Sequence, residues 1–172
     1  MKIEINSRRE MPEVERKQVD RWVAQVFADD ANNLVWSSDD WTVSVKLDGQ
    51  MVCHVGIVER TGTVNGLPVK LGGIGGVATR LDWRRHGYAG AALRTAAEFM
   101  RNALRVEFGL LVCSAQMMPY YGKLGWQLVA GPLMFDQPKG KVTFGDSTKI
   151  MILPCGTSDW PPGVIDLCGP PW

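Results

Sequence analysis

Between Leu71 and Leu93 the run LGGIGGVATRLDWRRHGYAGAAL changes character twice. An apolar, strand-like segment carrying four glycines stops at a cluster of arginines, and an alanine-rich helical pattern follows. Glycines inside a strand mark a bulge or a close approach of backbone to another group. The first N–H groups of a helix have no carbonyl one turn back and carry partial positive charge. A strand that feeds such a helix start through Gly87, with Arg84 and Arg85 beside it, suits an anion such as a phosphate or pyrophosphate. Solvated surface charge explains the arginines equally well if this stretch is taken alone.

The rest of the chain frames that junction. KIEIN at 2–6 alternates as a strand does, and 12–28 repeats Val19, Trp22, Val23, Val26 and Phe27 at helical spacing after Pro12. Asp48-Gly49 and Asn65-Gly66 each sit between strand-like runs and predict two hairpins. Residues 87–105 predict a helix, 107–114 a buried strand and 115–125 a short helix closed by Gly125. WQLVA, LMFD and TKIMILP predict further strands, and the tail WPPGVIDLCGPPW is too rich in Pro and Gly for regular structure. Helices and mostly antiparallel strands in this order predict an α+β chain with a mixed sheet flanked by helices.

Composition limits the function classes. The 172 residues fit one domain, 1–172, with a sizeable core. With 19 basic and 18 acidic side chains no global field points to nucleic acid or membrane, so binding chemistry must be local. The first residues lack the apolar region of a secretory signal, and no apolar run approaches the roughly 18 residues that span a bilayer. Four scattered cysteines without a CxxC pair suit a reducing cytoplasm, and two histidines, His54 and His86, give no expectation of a metal site. His54, in the middle of a strand, reads as a core histidine.

Known phosphate loops do not fit. GxxxxGK[ST] is absent, and GGIGG at 72–76 lacks the GxGxxG spacing. RRHGYA, however, resembles the acyl-CoA loop (Q/R)xxGx(G/A) of the GNAT acetyltransferases, with Arg84, Gly87 and Ala89 at the defining places. YYGKLGW at 120–126 resembles that family's second signature. FADDANNLVW, MVCHVGIV and GVATRLDWR further resemble the aminoglycoside 2′-N-acetyltransferase branch, and DWPPGVIDLCGP the nodulation N-acyltransferases. Both branches acylate an amine on a sugar.

The resemblance implies a GNAT fold with a splayed sheet and acetyl-CoA as co-substrate. Val77, Ala78 and Thr79 would offer backbone groups to the pantetheine arm. Residues Arg84, Arg85, His86, Gly87, Tyr88 and Ala89 would form the pyrophosphate loop, its N–H groups at 85–89 holding the anion. Tyr121 would be the general acid that protonates the leaving thiolate. Asp30, Trp36, Met117 and Trp172 would face the acceptor, a primary amine on a small molecule such as an aminoglycoside or amino sugar. In the aminoglycoside branch the strand before the loop carries a glutamate linked to deprotonating the amine; Gly75 stands there in this chain. The base is therefore open among Asp30, Asp39, Asp40, Asp166 and the carboxylate of Trp172, where the sequence ends. Transfer of a longer acyl chain, and a CoA-binding module without turnover, are the alternatives. A homodimer is left open.

Overall fold

The structure, a computed structural model, describes residues 1–28 and 33–172. Ten strands form one sheet among these residues. In chain order the elements are β1 (Lys2–Ser7), α1 (Glu13–Val26), β2 (Trp41–Leu47), β3 (Gln50–Val64), β4 (Leu67–Thr79) and α2 (Tyr88–Phe99). Then come β5 (Phe108–Ser114), α3 (Met118–Gly122), β6 (Gln127–Val129), β7 (Leu133–Gln137), β8 (Gly140–Thr143), β9 (Thr148–Pro154) and β10 (Ile165–Asp166).

Strand order is β6-β9-β5-β4-β3-β10-β7-β8, with β1 and β2 added beside the first half of β3. Both predicted hairpins form, with Gly49 and Gly66 at positive φ (81° and 77°). All pairings are antiparallel except β4–β5 and β10–β7. The parallel β4–β5 ladder holds only Leu71↔Phe108, Gly72↔Gly109 and Gly73↔Leu110. Beyond Gly73 the two strands part.

The sheet separates two cores. On one face Val43, Val55, Ile57 and Ile74 pack against Ala92, Leu93 and Ala96 of α2, where small residues let the helix come close. On the other, Val58, Leu71, Phe108, Leu110, Phe135 and Ile165 meet Trp172. Side chains alternate between faces along a strand. Thus a methyl on Gly72 would overlap Met100, whereas a methyl on Gly73 would overlap the Trp172 indole.

The structure differs from the sequence reading in three places. The tail is not irregular throughout: Ile165–Asp166 pairs with both β3 and β7, because an apolar Ile165 fills the second core. The helix expected over 87–105 is α-helical to Phe99 and continues as a wider π-type turn over Met100–Leu104, ending at Arg105 in the left-handed region (φ 52°). In α1 only Val19 of the expected stripe is fully buried; Trp22 instead lies under the Arg80 guanidinium, 4.9 Å from its ring centre, and Phe27 is exposed.

Candidate active site

The site starts where the β4–β5 ladder ends. One extra residue of β4 is inserted opposite β3, since His54 pairs with Ala78 while Gly56 pairs with Gly75. Gly76 takes φ +56° within this bulge. Bulges re-aim neighbouring groups and leave part of the ladder unpaired. Val77, Ala78 and Thr79 therefore follow a bend on the side of β4 that β5 no longer covers. Thr79 is fixed from behind by its hydroxyl contact to Cys53 Sγ at 3.3 Å.

From Thr79 the chain turns through Leu81–Trp83 into the arginine-glycine loop. Arg84 Nε donates to the Thr79 carbonyl at 3.2 Å, and His86 Nδ1 lies 2.8 Å from the Arg84 carbonyl. Arg85 has φ 65° and Gly87 φ 80°, both left-handed. Glycine takes that conformation freely, while arginine is strained there, a pattern common at functional sites. Gly87 is the residue before α2, no side chain caps the helix, and its first turn holds no acidic residue. Among the described residues, none of the N–H groups of residues 85–89 donates to a backbone carbonyl. His86 and Tyr88 stack, 5.9 Å between ring centres, along the loop. Unpaired N–H groups, two arginines and an uncapped helix start make a chemically suitable seat for a pyrophosphate.

Tyr121 comes from α3, whose start Pro119 favours. Its carbonyl accepts from the N–H groups of Leu124 (2.9 Å) and Trp126 (3.2 Å), which fixes the turn after the helix. Its ring packs edge-on against Tyr120 and Trp126. Burial, with smaller effects of Cys113 and Tyr120, pushes its phenol well above the ordinary value of 10. Such a phenol stays protonated at neutral pH. Tyr120 is the less buried of the pair. Cys113, half-buried on the freed part of β5, has a thiol pushed up by burial.

Trp172 sits on the opposite face of the sheet from Tyr121. Its indole N–H donates to the Leu110 carbonyl at 3.1 Å, the last β5 residue paired with β4. Its main-chain carbonyl carbon lies 2.7 Å from where a Cβ on Gly75 would be. Arg60 holds this end of the chain: its guanidinium donates to the Pro170 carbonyl (2.6 Å) and Ser37 Oγ (2.7 Å) and lies over the Trp172 ring at 5.2 Å. Ser37 donates from its N–H to the Pro171 carbonyl at 2.7 Å. Trp36 beside it is exposed and tilts against Phe144, 6.3 Å between centres.

Trp36 and Trp172 are thus gathered on one side of the split through Ser37 and Arg60. Met117 is exposed on the turn leading into α3. Asp30 lies outside the described residues. Asp166 is tied to Lys141 at 2.9 Å and to the Cys168 N–H, and Asp40 accepts from the Glu59 N–H at 2.9 Å. Sequence reasoning missed Arg60 and Ser37, because their roles depend on a tail more than a hundred residues away. No group of three or more potential metal-binding side chains occurs among the described residues, and no helix there is long and apolar enough to cross a membrane.

Comparison with known proteins agrees with this geometry. A family model described as an acetyltransferase (GNAT) domain matches residues 8–129. An aminoglycoside 2′-N-acetyltransferase from Mycolicibacterium fortuitum is 26% identical over 144 residues, 82% of this chain and 73% of that protein. Among solved structures, Escherichia coli ElaA superposes with a TM-score of 0.64 at 12% identity, covering 88% of this chain and 98% of that one. A GNAT family acetyltransferase from Brucella melitensis, solved in complex with acetyl-CoA, gives 0.58 at 15% identity, covering 95% and 94%.

Proposed function

Because the chain belongs to the GNAT acetyltransferase family and is an N-acetyltransferase, we propose that it moves acetyl from acetyl-CoA to a primary amine on a small molecule, an aminoglycoside or amino sugar, by direct attack. The observation that carries this reading is the split between β4 and β5 after Gly73 and Leu110, which leads to the unpaired N–H groups before α2. In this reading residues 1–172 act as one domain in a reducing compartment.

Arg84, Arg85, His86, Gly87, Tyr88 and Ala89 hold the pyrophosphate, and Val77, Ala78 and Thr79 pair with the pantetheine arm along the freed edge. The N–H of Val77 or Ala78 stabilises the oxyanion of the tetrahedral intermediate, where charge develops. Tyr121 gives the departing sulfur its proton. Trp172 lies on the acceptor side with Trp36; its carbonyl end beside Gly75 offers oxygen to the incoming ammonium. Asp30 and Met117 complete the acceptor contacts.

The test is thiol release from acetyl-CoA with deoxystreptamine aminoglycosides, glucosamine and simple alkyl amines, with palmitoyl-CoA as a second donor. Release with acetyl-CoA and an amino sugar is expected. Faster release with palmitoyl-CoA would replace acetyl transfer by long-chain transfer, and CoA binding without release for any amine would remove the enzymatic reading. Tyr121→Phe should lower kcat about 100-fold or more, the usual contribution of a positioned proton donor, with CoA affinity unchanged. Near-normal kcat would take Tyr121 out of the role.

A further inference from the structure

Gly75 lacks the carboxylate that the likeness to sugar-amine acetyltransferases leads one to expect, and the structure shows a carboxylate one strand away. Gly75 pairs directly with Gly56 of β3. Side chains at directly opposite positions share a face and start about 4.5–5.5 Å apart. The place where a Gly56 side chain would stand is filled by the carboxylate of Asp39, which a methyl on Gly56 would overlap. Asp39 therefore reaches the same face as Gly75 and Trp172 from the loop before β2. The main chain fixes it: the Asp40 N–H donates to the Ile57 carbonyl at 2.8 Å, and Arg8 N–H to the Asp40 carbonyl at 2.9 Å. The Asp39 side chain keeps 19% of its surface, enough to meet a solute from outside.

Behind it stands His54, 1% exposed. His54 Nδ1 lies 2.8 Å from the Gly76 carbonyl in the β4 bulge, and Nε2 lies 3.4 Å from Asp39 Oδ2. A carbonyl only accepts, so Nδ1 carries a proton and faces the bulge. Asp39 is the one acidic side chain within 4.0 Å of this ring among the described residues. The neighbours Thr42 Oγ1, Ser44 Oγ and His54 Nε2 are buried with no hydrogen-bond partner among those residues. Ser44 is directly opposite His54, and Thr42 opposite Gly56, so all three lie on the Asp39 face. Buried polar atoms without a protein partner are sites where an explanation is required.

We propose that Asp39, oriented by His54, is the proton acceptor for the incoming amine. The proposal rests on the reading of the β4–β5 split as the acetyl-transfer site. One proton of the ammonium goes to the Asp39 carboxylate, directly or through water, and then to solvent. The nitrogen lone pair forms the C–N bond, the C–S bond breaks, and the sulfur takes the Tyr121 phenolic proton. A second nitrogen proton, lost as the amide forms, restores the balance at Tyr121 through solvent. His54 is a positioning residue: as the imidazolium it donates from Nδ1 to the Gly76 carbonyl of the bulge that carries Val77 and Ala78, and its charge holds the Asp39 carboxylate as an ion pair 3.4 Å from Nε2.

The experiment compares wild type with the isosteric Asp39→Asn and with His54→Asn and His54→Phe. With glucosamine or a deoxystreptamine aminoglycoside, Asp39→Asn should lower turnover about 100-fold or more while CoA affinity by calorimetry stays unchanged. With O-methylhydroxylamine, an acceptor already neutral at pH 7, the loss should shrink to a few-fold, which a merely structural defect would not produce. His54→Asn, which retains an N–H donor, should keep more kcat than His54→Phe. Independently of turnover, the ¹⁵N signal of His54 Nε2 should move in Asp39→Asn while those of His86 stay. Equal turnover of wild type and Asp39→Asn, an equal loss with both acceptor classes, or an unmoved His54 signal would overturn the proposal and leave acetyl transfer intact. Wild type that binds CoA but turns over no amine would instead defeat the acetyl-transfer reading, and the His54 signal would still decide the pair.

Discussion

Replacing Gly73 by Ala separates the structure from ordinary strand chemistry by the sign of its effect. In a strand, Ala for Gly lowers the backbone entropy lost on folding and stabilises by about 0.5–1 kcal/mol. Here the added methyl would overlap the Trp172 indole, which lies 6% exposed in the second core. A tryptophan buries about 150–250 Å², or about 4–6 kcal/mol at 25 cal/mol per Å². A ring pushed out far enough to clear a methyl forfeits roughly half of that. It also loses the indole bond to the Leu110 carbonyl, 3.1 Å long, worth about 1 kcal/mol. After the entropy gain, a net loss of about 3 kcal/mol remains. For a chain of this size each kcal/mol moves the midpoint by about 2–4 °C, so Tm should fall by about 6–12 °C. Thermal melts by circular dichroism and calorimetry read this directly, with Gly145→Ala as control because a methyl there meets nothing within 4 Å. The control should stay within about 0.5 kcal/mol of wild type. A Gly73→Ala protein as stable as wild type, or more so, would refute the seating of Trp172 on Gly73.

Arg60→Met removes the bonds to Pro170 and Ser37 while keeping a long apolar stem under the Trp172 ring. It should raise the acceptor KM at least about 10-fold, the equivalent of one charged hydrogen bond, without moving CoA affinity. Gly87→Ala forces a side chain into φ +80°, which costs about 1–2 kcal/mol. Relaxation of the loop to relieve it should weaken CoA binding by roughly 5–30-fold in calorimetry while α2 still forms. Glu4 sits between Lys2 and Lys46, and its hydrogen bonds to them, first to Lys2, lower its pKa from 4.5 to about 2. A depressed carboxylate stabilises above the unfolded value and loses that contribution as pH falls through the folded one. Near-surface pairs are worth about 0.2–1 kcal/mol, so Glu4→Gln should melt a few degrees below wild type at pH 7, and the gap should close between pH 4.5 and pH 2.

What was legible in the sequence depended on local rules. The hairpins at Asp48-Gly49 and Asn65-Gly66, the strand 107–114 and the glycine before α2 are set by turn chemistry and hydrophobic spacing within a dozen residues, and the structure places each where those rules put it. The tail obeys no local rule. Ile165 and Trp172 are ordered by partners on β3, β4, β5 and β7, so Pro and Gly around them read as irregular until those partners are in view. The same limit governs the candidate base. From sequence, Asp39 is one acid among several in an unpatterned loop, and His54 is a buried strand residue. Only the register that sets Gly56 against Gly75 brings the Asp39 carboxylate onto the face where Gly75 has no side chain. Two facing glycines, weak sites in any strand taken singly, together leave a hollow that Asp39 and Trp172 enter from opposite ends of the chain. The loop before β2 thus brings a carboxylate to the face where position 75 has no side chain.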